Sequence, residues 1–162
     1  MLTRIERRAP SASKSDHLDG PGCLTDRGLL RQWFIRYRLA EEFSEARRYR
    51  YPLSLVVLSP MIVGGEAGAE GRVRAGAQAA RAAARSVDLI GWLDGDDILV
   101  VLPHTTRDGA LAAIDRWRRE MQVPTAPLGS LRWLAATVED DGSYRAADDL
   151  LRAACNQFTG VD

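Results

Sequence analysis

The chain predicts an α/β (α+β) domain: a central, mostly antiparallel sheet flanked by helices, with a β-hairpin holding an acidic turn at its tip. Leu53 to Leu58 is a nearly unbroken apolar run rich in β-branched residues, the pattern of a central strand covered on both faces. Asp94-Gly95-Asp96-Asp97 stands between the apolar runs Leu89–Leu93 and Ile98–Leu102. Asp-Gly between short hydrophobic runs favours a tight hairpin, because glycine accepts the positive φ that such turns demand. Helical periodicity interleaves with these strands, which places helices against the sheet.

The elements follow in order. Residues 1–18, with Pro10, Ser11, Ser13 and Ser15 and no helical apolar stripe, read as a flexible tail or linker, and the folded domain as 19–162. From Gly28 to Arg50, apolar Leu30, Trp33, Phe34, Tyr37, Ala40 and Phe43 recur at helical spacing while Glu41, Glu42, Glu45 and Arg47 take other faces, which predicts a long amphipathic helix. A strand covers 53–58. A second helix spans about 70–86, its glycines and alanines allowing close approach to the sheet. The hairpin follows, then a helix over about 107–122, a strand around 131–138 and a last helix from Ala147.

Composition bounds the function. The chain has 162 residues, 46% of them hydrophobic, with no apolar run long enough to span a bilayer and no signal-peptide pattern, as expected of one soluble domain with no membrane insertion. Formal net charge is zero, which argues against a general nucleic-acid binder. Cys23 and Cys155 have neither metal spacing nor a disulfide-framework count and read as reduced thiols of a cytoplasmic protein. Lys14 is the single lysine among 22 basic residues, so arginine abundance reads first as a GC-rich genome.

Several motifs, ordered and spaced along the chain, carry a resemblance. Asp19-Gly-Pro-Gly-Cys-Leu24-Thr-Asp26-Arg27 is similar to the D-x-L-T-G-L-x-N-R opening of GGDEF (diguanylate cyclase) domains. Arg47-Arg48-Tyr-Arg-Tyr-Pro52-Leu53-Ser54-Leu55 resembles their helix-to-first-strand junction, and Asp94 to Ile98 falls where the signature itself belongs. Leu102-Pro103-His104-Thr105 resembles the L-P-x-T strand end, and Ala147-Asp-Asp-Leu-Leu151-Arg152-Ala153 the start of the last helix. The resemblance covers Asp19 to Phe158 and implies the palm-like sheet of nucleotide polymerases and cyclases.

The same register implies a degenerate active site. Active relatives hold two magnesium ions to neutralise a triphosphate and position its nucleophile. Here Ser59 stands where the first metal-binding aspartate belongs and Met61 at the next acidic position; a neutral hydroxyl and a soft thioether do not replace hard anionic ligands. Asp94 replaces the signature's first glycine, giving Asp94-Gly95-Asp96-Asp97-Ile98. The segment that would carry guanine readers is a shortened Val63–Gly71, and no basic residue follows Phe158. A reading of Asp96 and Asp97 as solvated turn residues explains the composition of the turn but not its register, and Ile98 interrupts the alternation that a calcium loop requires. The expectation is no catalytic residue, no metal and no magnesium cofactor.

A second site of the family looks retained. Arg85-Ser86-Val87-Asp88 is an R-x-x-D, separated from Asp94 by the spacing at which GGDEF domains carry their inhibitory site for cyclic di-GMP, and Arg116 falls where they supply a second guanine-binding arginine. An arginine fork can donate to guanine O6 and N7 while an aspartate accepts from N1–H and N2–H. The plain alternative is a C-terminal cation on a helix, followed by the aspartate that starts the hairpin, with Arg116 merely solvating its helix. Arg145-Ala-Ala-Asp148 is a second R-x-x-D with no implied role.

The resemblance thus implies a cyclic di-GMP receptor of the bacterial cytoplasm, binding through Arg85, Asp88 and Arg116. Its output would be a protein partner or self-association, since ligand in this family often binds as an intercalated dimer able to crosslink two domains. Two alternatives stand beside it: a ligand-independent interaction module, favoured by exposed Trp92, Trp117 or Phe158, and a residual purine-triphosphate site at Asp96 or Asp97.

Overall fold

The structure, a computed structural model, describes residues 22–25, 28–63, 69–120 and 130–158. The expected tail at 1–18, Asp19, Asp26 and Arg27 of the opening motif, and most of the shortened segment after the first strand lie outside the described residues. Among them, the elements are α1 (Gln32–Tyr49), β1 (Leu53–Val63), α2 (Ala69–Ala83), β2 (Leu89–Trp92), β3 (Ile98–Pro103), α3 (Arg107–Glu120), β4 (Ser130–Glu139) and α4 (Ala147–Asn156). The strands form one sheet in the order β2-β3-β1-β4, every pairing antiparallel. β1-α2-β2-β3-α3-β4 is a split β-α-β arrangement, and α1 and α4 are added on the opposite face.

Alternation along the strands builds the layers. In β1, Leu53, Leu55 and Val57 face α1 and α4, packing with Ile35, Leu39, Phe43, Ala46, Leu150, Leu151 and Ala154. Val56 and Leu58 face the other way, onto Val73, Ala77 and Ala80 of α2 and Ala110, Ala113, Ile114 and Trp117 of α3. β1 is central and its 53–58 stretch buried throughout, as the apolar run predicts. The small residues of α2 also behave as expected: a Cβ on Gly76 would lie 2.7 Å from the Trp133 ring of β4, so only glycine admits this approach.

The first helix departs from the sequence expectation. It begins at Gln32 rather than Gly28, because Leu30 is drawn into bridges with Leu24 and Gly91. Its buried stripe is Ile35, Leu39, Phe43 and Ala46. Of the expected apolar set only Phe43 belongs to it. Trp33 and Tyr37 are half exposed, and Phe34 packs between them with ring centroids 5.3 and 6.2 Å away. The helix ends at Arg50 in the left-handed region (φ 59), its N–H returning to Ala46 O. The hairpin also differs in detail. Its loop takes five residues, Leu93 to Asp97, closed by Leu93 N–H to Asp97 O at 2.8 Å, with Gly95 at φ 69.

Tyr51 joins α1 to β1 and makes a pH prediction. Its hydroxyl donates to Glu42 Oε2 at 3.1 Å, and burial, reinforced by the Glu42 charge, pushes its pKa up to about 12. A phenol whose folded pKa is raised contributes stability that is complete below the ordinary value of 10.0 and lost as pH rises toward 12. Urea-unfolding midpoints measured across that window are expected to fall more steeply for the wild type than for Tyr51→Phe. Parallel profiles would show that Tyr51 does not titrate against folding.

Candidate functional site

Where α2 ends, the chain closes a small turn on a buried carboxylate. Asp88 N–H donates to Arg85 O at 3.1 Å, and Arg85 N–H donates to Asp88 Oδ2 at 2.8 Å. The Arg85 guanidinium folds onto the same carboxylate, Nε and Nη2 donating to Oδ1 at 3.1 and 2.8 Å. The Asp88 side chain is fully buried whereas that of Arg85 is 47% exposed, so the pair presents its cationic member to solvent. Arg85 Nη2 also donates to Thr105 Oγ1 at 2.7 Å.

Arg116 reaches the same place from α3. It is half-buried, and its Nε is buried without a hydrogen-bond partner among the described residues. Arg85, Asp88 and Arg116 line one pocket of about 190 Å³ together with Leu102, His104, Thr105, Gly109 and Ala113. That volume is below the roughly 300–1,000 Å³ of clefts that enclose a drug-sized ligand. It suits one planar ring system, with the remainder of a larger ligand outside. The three sequence-selected residues therefore converge. Sequence reasoning missed His104, Thr105 and Gly109. The L-P-x-T motif marked the first two, but only as a strand end.

The acidic turn lies elsewhere, at the opposite end of β3. Ser59 Oγ donates to Asp97 Oδ1 at 2.6 Å, so the end of β1 and the acidic turn are joined by a hydrogen bond. Gln32 Nε2 donates to Asp94 Oδ1 at 2.6 Å, tying the turn to the start of α1. Asp96 and Gly95 are half-buried in the same loop. Met61 is half-buried and pairs in register with Arg132 of β4. The neutral hydroxyl of Ser59 and the thioether of Met61 are not the hard anionic oxygen ligands that a pair of magnesium ions requires from this strand. Among the described residues no group of three or more His, Cys, Asp or Glu is placed to hold a metal.

The aromatic residues that a docking surface would use are not where that reading needs them. Trp92 and Trp117 are fully buried, and Phe158 is partly buried against the α1–α4 core. Cys23 and Cys155 are free thiols. No helix among the described residues is long and apolar enough to cross a membrane.

No protein-family model matches the chain. No curated protein matches it either. Solved structures do. The GGDEF domain of DgcB from Caulobacter crescentus in complex with c-di-GMP is 13% identical with a TM-score of 0.73, covering 89% of this chain and 95% of its own. The GGDEF domain of YfiN (TpbB) from Pseudomonas aeruginosa is 21% identical with a TM-score of 0.70, covering 80% and 87%. The active GGEEF domain of a diguanylate cyclase from Vibrio cholerae is 15% identical with a TM-score of 0.69, covering 80% and 91%. The chain has the GGDEF-domain fold, the α+β palm-like architecture that its motifs imply.

Proposed function

We propose that this domain is a catalytically silent receptor for cyclic di-GMP, with Arg85, Asp88 and Arg116 as its ligand-binding residues. The observation that carries the reading is the convergence on one pocket of two separate stretches of chain, the Arg85–Asp88 turn after α2 and Arg116 on α3. A guanine there would take two parallel donations from an arginine at O6 and N7 and give its N1–H and N2–H to the Asp88 carboxylate. The Arg116 guanidinium, with an uncommitted buried Nε, would stack on a base or meet a ligand phosphate. In the free protein Arg85 and Asp88 satisfy one another, so ligand exchanges one charged pair for two ligand contacts. That keeps the free site soluble and gives the ligand a cost to overcome. The DgcB structure with c-di-GMP bound supplies an independent reason to test this ligand first.

Silence at the acidic turn rests on Ser59 and Met61, neither of which is a hard anionic ligand, and on Asp97 being engaged by Ser59. The ligand belongs to the bacterial cytoplasm, and its reception requires an output. Trp33 and Tyr37, 50% and 55% exposed beside Phe34 on α1, favour a protein partner or self-association on that face.

Calorimetric titration with cyclic di-GMP, beside GTP plus magnesium, tests the proposal. Saturable micromolar binding of cyclic di-GMP with a silent GTP control is the expected result. Silence with both ligands would overturn the receptor in favour of an interaction module. Magnesium-dependent heat with GTP alone would point to a residual purine-triphosphate site.

A further inference from the structure

We infer that Thr105 is a positioning residue for this site: its hydroxyl oxygen holds the Arg85 guanidinium on the pocket wall while Asp88 is given over to the ligand. The inference rests on the reading of the pocket as a cyclic di-GMP site. Every polar group of Thr105 is committed. Its N–H donates to Pro52 O at 3.1 Å, its carbonyl accepts from Ser54 Oγ at 2.8 Å, and its hydroxyl donates to Pro103 O at 2.9 Å. With that hydrogen spent, the oxygen is an acceptor of fixed direction rather than a free rotor, and Arg85 Nη2 donates to it at 2.7 Å. Thr105 is 7% exposed, so this charge-assisted bond lies where it is strong.

The backbone explains how the hydroxyl is aimed. His104 turns the chain in the left-handed region (φ 53), an unusual conformation for a residue with a side chain, and its ring lies against Tyr51 with centroids 3.9 Å apart. Pro52 and Ser54, which hold Thr105, sit at the start of the central strand, so the anchor is fixed to the sheet. A Cβ on Gly109 would come within 3.0 Å of Thr105 Cγ2, so the first turn of α3 closes on the methyl from the other side.

Recognition of guanine removes Asp88 from Arg85, because the carboxylate must then accept from the base. A released arginine side chain gains rotamer freedom, and each lost order reduces affinity. Besides a long approach of Nη2 to Pro103 O at 3.5 Å, Thr105 is then the remaining anchor of the guanidinium among the described residues. The Leu102-Pro103-His104-Thr105 strand end thereby acquires a role in ligand binding.

The test compares wild type, Thr105→Val and Thr105→Ser, each titrated with cyclic di-GMP by calorimetry and melted without ligand. Valine keeps the methyl and removes the hydroxyl; it is expected to weaken binding by roughly tenfold, the worth of a hydrogen bond to a charged group. Serine keeps the hydroxyl and removes the methyl; it is expected to melt below wild type yet bind as wild type does. A purely structural role cannot give that split. Unchanged affinity in Thr105→Val overturns the inference and leaves the receptor reading standing, as does an equal loss in both variants. Wild-type protein that does not bind overturns both.

Discussion

Arg85→Ala is expected to abolish cyclic di-GMP binding in the micromolar range and to lower stability by about 1–3 kcal/mol, the cost of leaving a buried polar group short of a partner. The two effects have different causes. Binding is lost because the guanidinium is the group proposed to read the guanine edge. Stability is lost because Asp88, whose side chain is fully buried, keeps only the Arg85 backbone N–H at 2.8 Å and loses both donations to Oδ1. A buried carboxylate stripped of its cation is the costly half of an ion pair. Asp88→Ala is milder, since the arginine, already 47% exposed, keeps water and its bond to Thr105 Oγ1 as partners. The double variant should therefore be at least as stable as Arg85→Ala, a favourable coupling that urea denaturation of the full cycle measures. Retained wild-type affinity in Arg85→Ala would sink the receptor proposal. A single variant as stable as wild type would show that the pair is solvated in the folded protein.

The two R-x-x-D tetrapeptides show what four letters can and cannot carry. Arg145-Ala-Ala-Asp148 has the same spacing, yet Arg145 is exposed and the Asp148 side chain is 73% exposed, 3.8 Å from Arg36 Nη1. Arg85 and Asp88 are distinguished by burial and by Thr105, contributed from 17 residues beyond Asp88. Their selection from the sequence came from the register of the surrounding motifs. The central strand and the hairpin were legible because a strand's apolar pattern and an Asp-Gly turn are local signals. The stripe of α1 was misread because Trp33 and Tyr37 are aromatic at helical spacing, while the sheet takes Ile35 and Leu39 instead. A tilted Trp33–Phe34 contact and a stacked Phe34–Tyr37 contact stabilise an exposed cluster that periodicity alone assigns to a core. The start of the helix was misplaced for a non-local reason: Leu30 is captured by a strand sixty residues later in the chain, and nothing near Leu30 announces it.

That capture yields the second large effect, at Gly91. Gly91→Ala is expected to destabilise the domain by about 2–4 kcal/mol, more than an ordinary overpacked substitution because the first obstacle is backbone. A Cβ there would lie 2.7 Å from Leu30 O and 2.9 Å from both Cβ and Cδ1 of Ile35. Leu30 O cannot retreat without losing its acceptance of Trp92 N–H at 3.0 Å, and the neighbouring Leu30 N–H to Ile90 O bond, also 3.0 Å, goes with it. Ile35 is fully buried at the head of the α1 stripe. The added methyl thus pushes the entry of α1 off the β2 edge, whereas the Gly91–Leu99 pairing and the pocket near Arg85 face other neighbours. Hydrogen exchange should show early loss of protection at the Leu30 and Trp92 amides, with Val100 and Val101 of β3 still protected. Cyclic di-GMP affinity, measured below the melting transition, should stay near that of wild type. A Gly91→Ala protein as stable as wild type would mean that the segment before α1 is not packed on β2 as the structure has it. Lost affinity in a folded variant would instead mean that the α1 entry and the Arg85 pocket are coupled through the sheet.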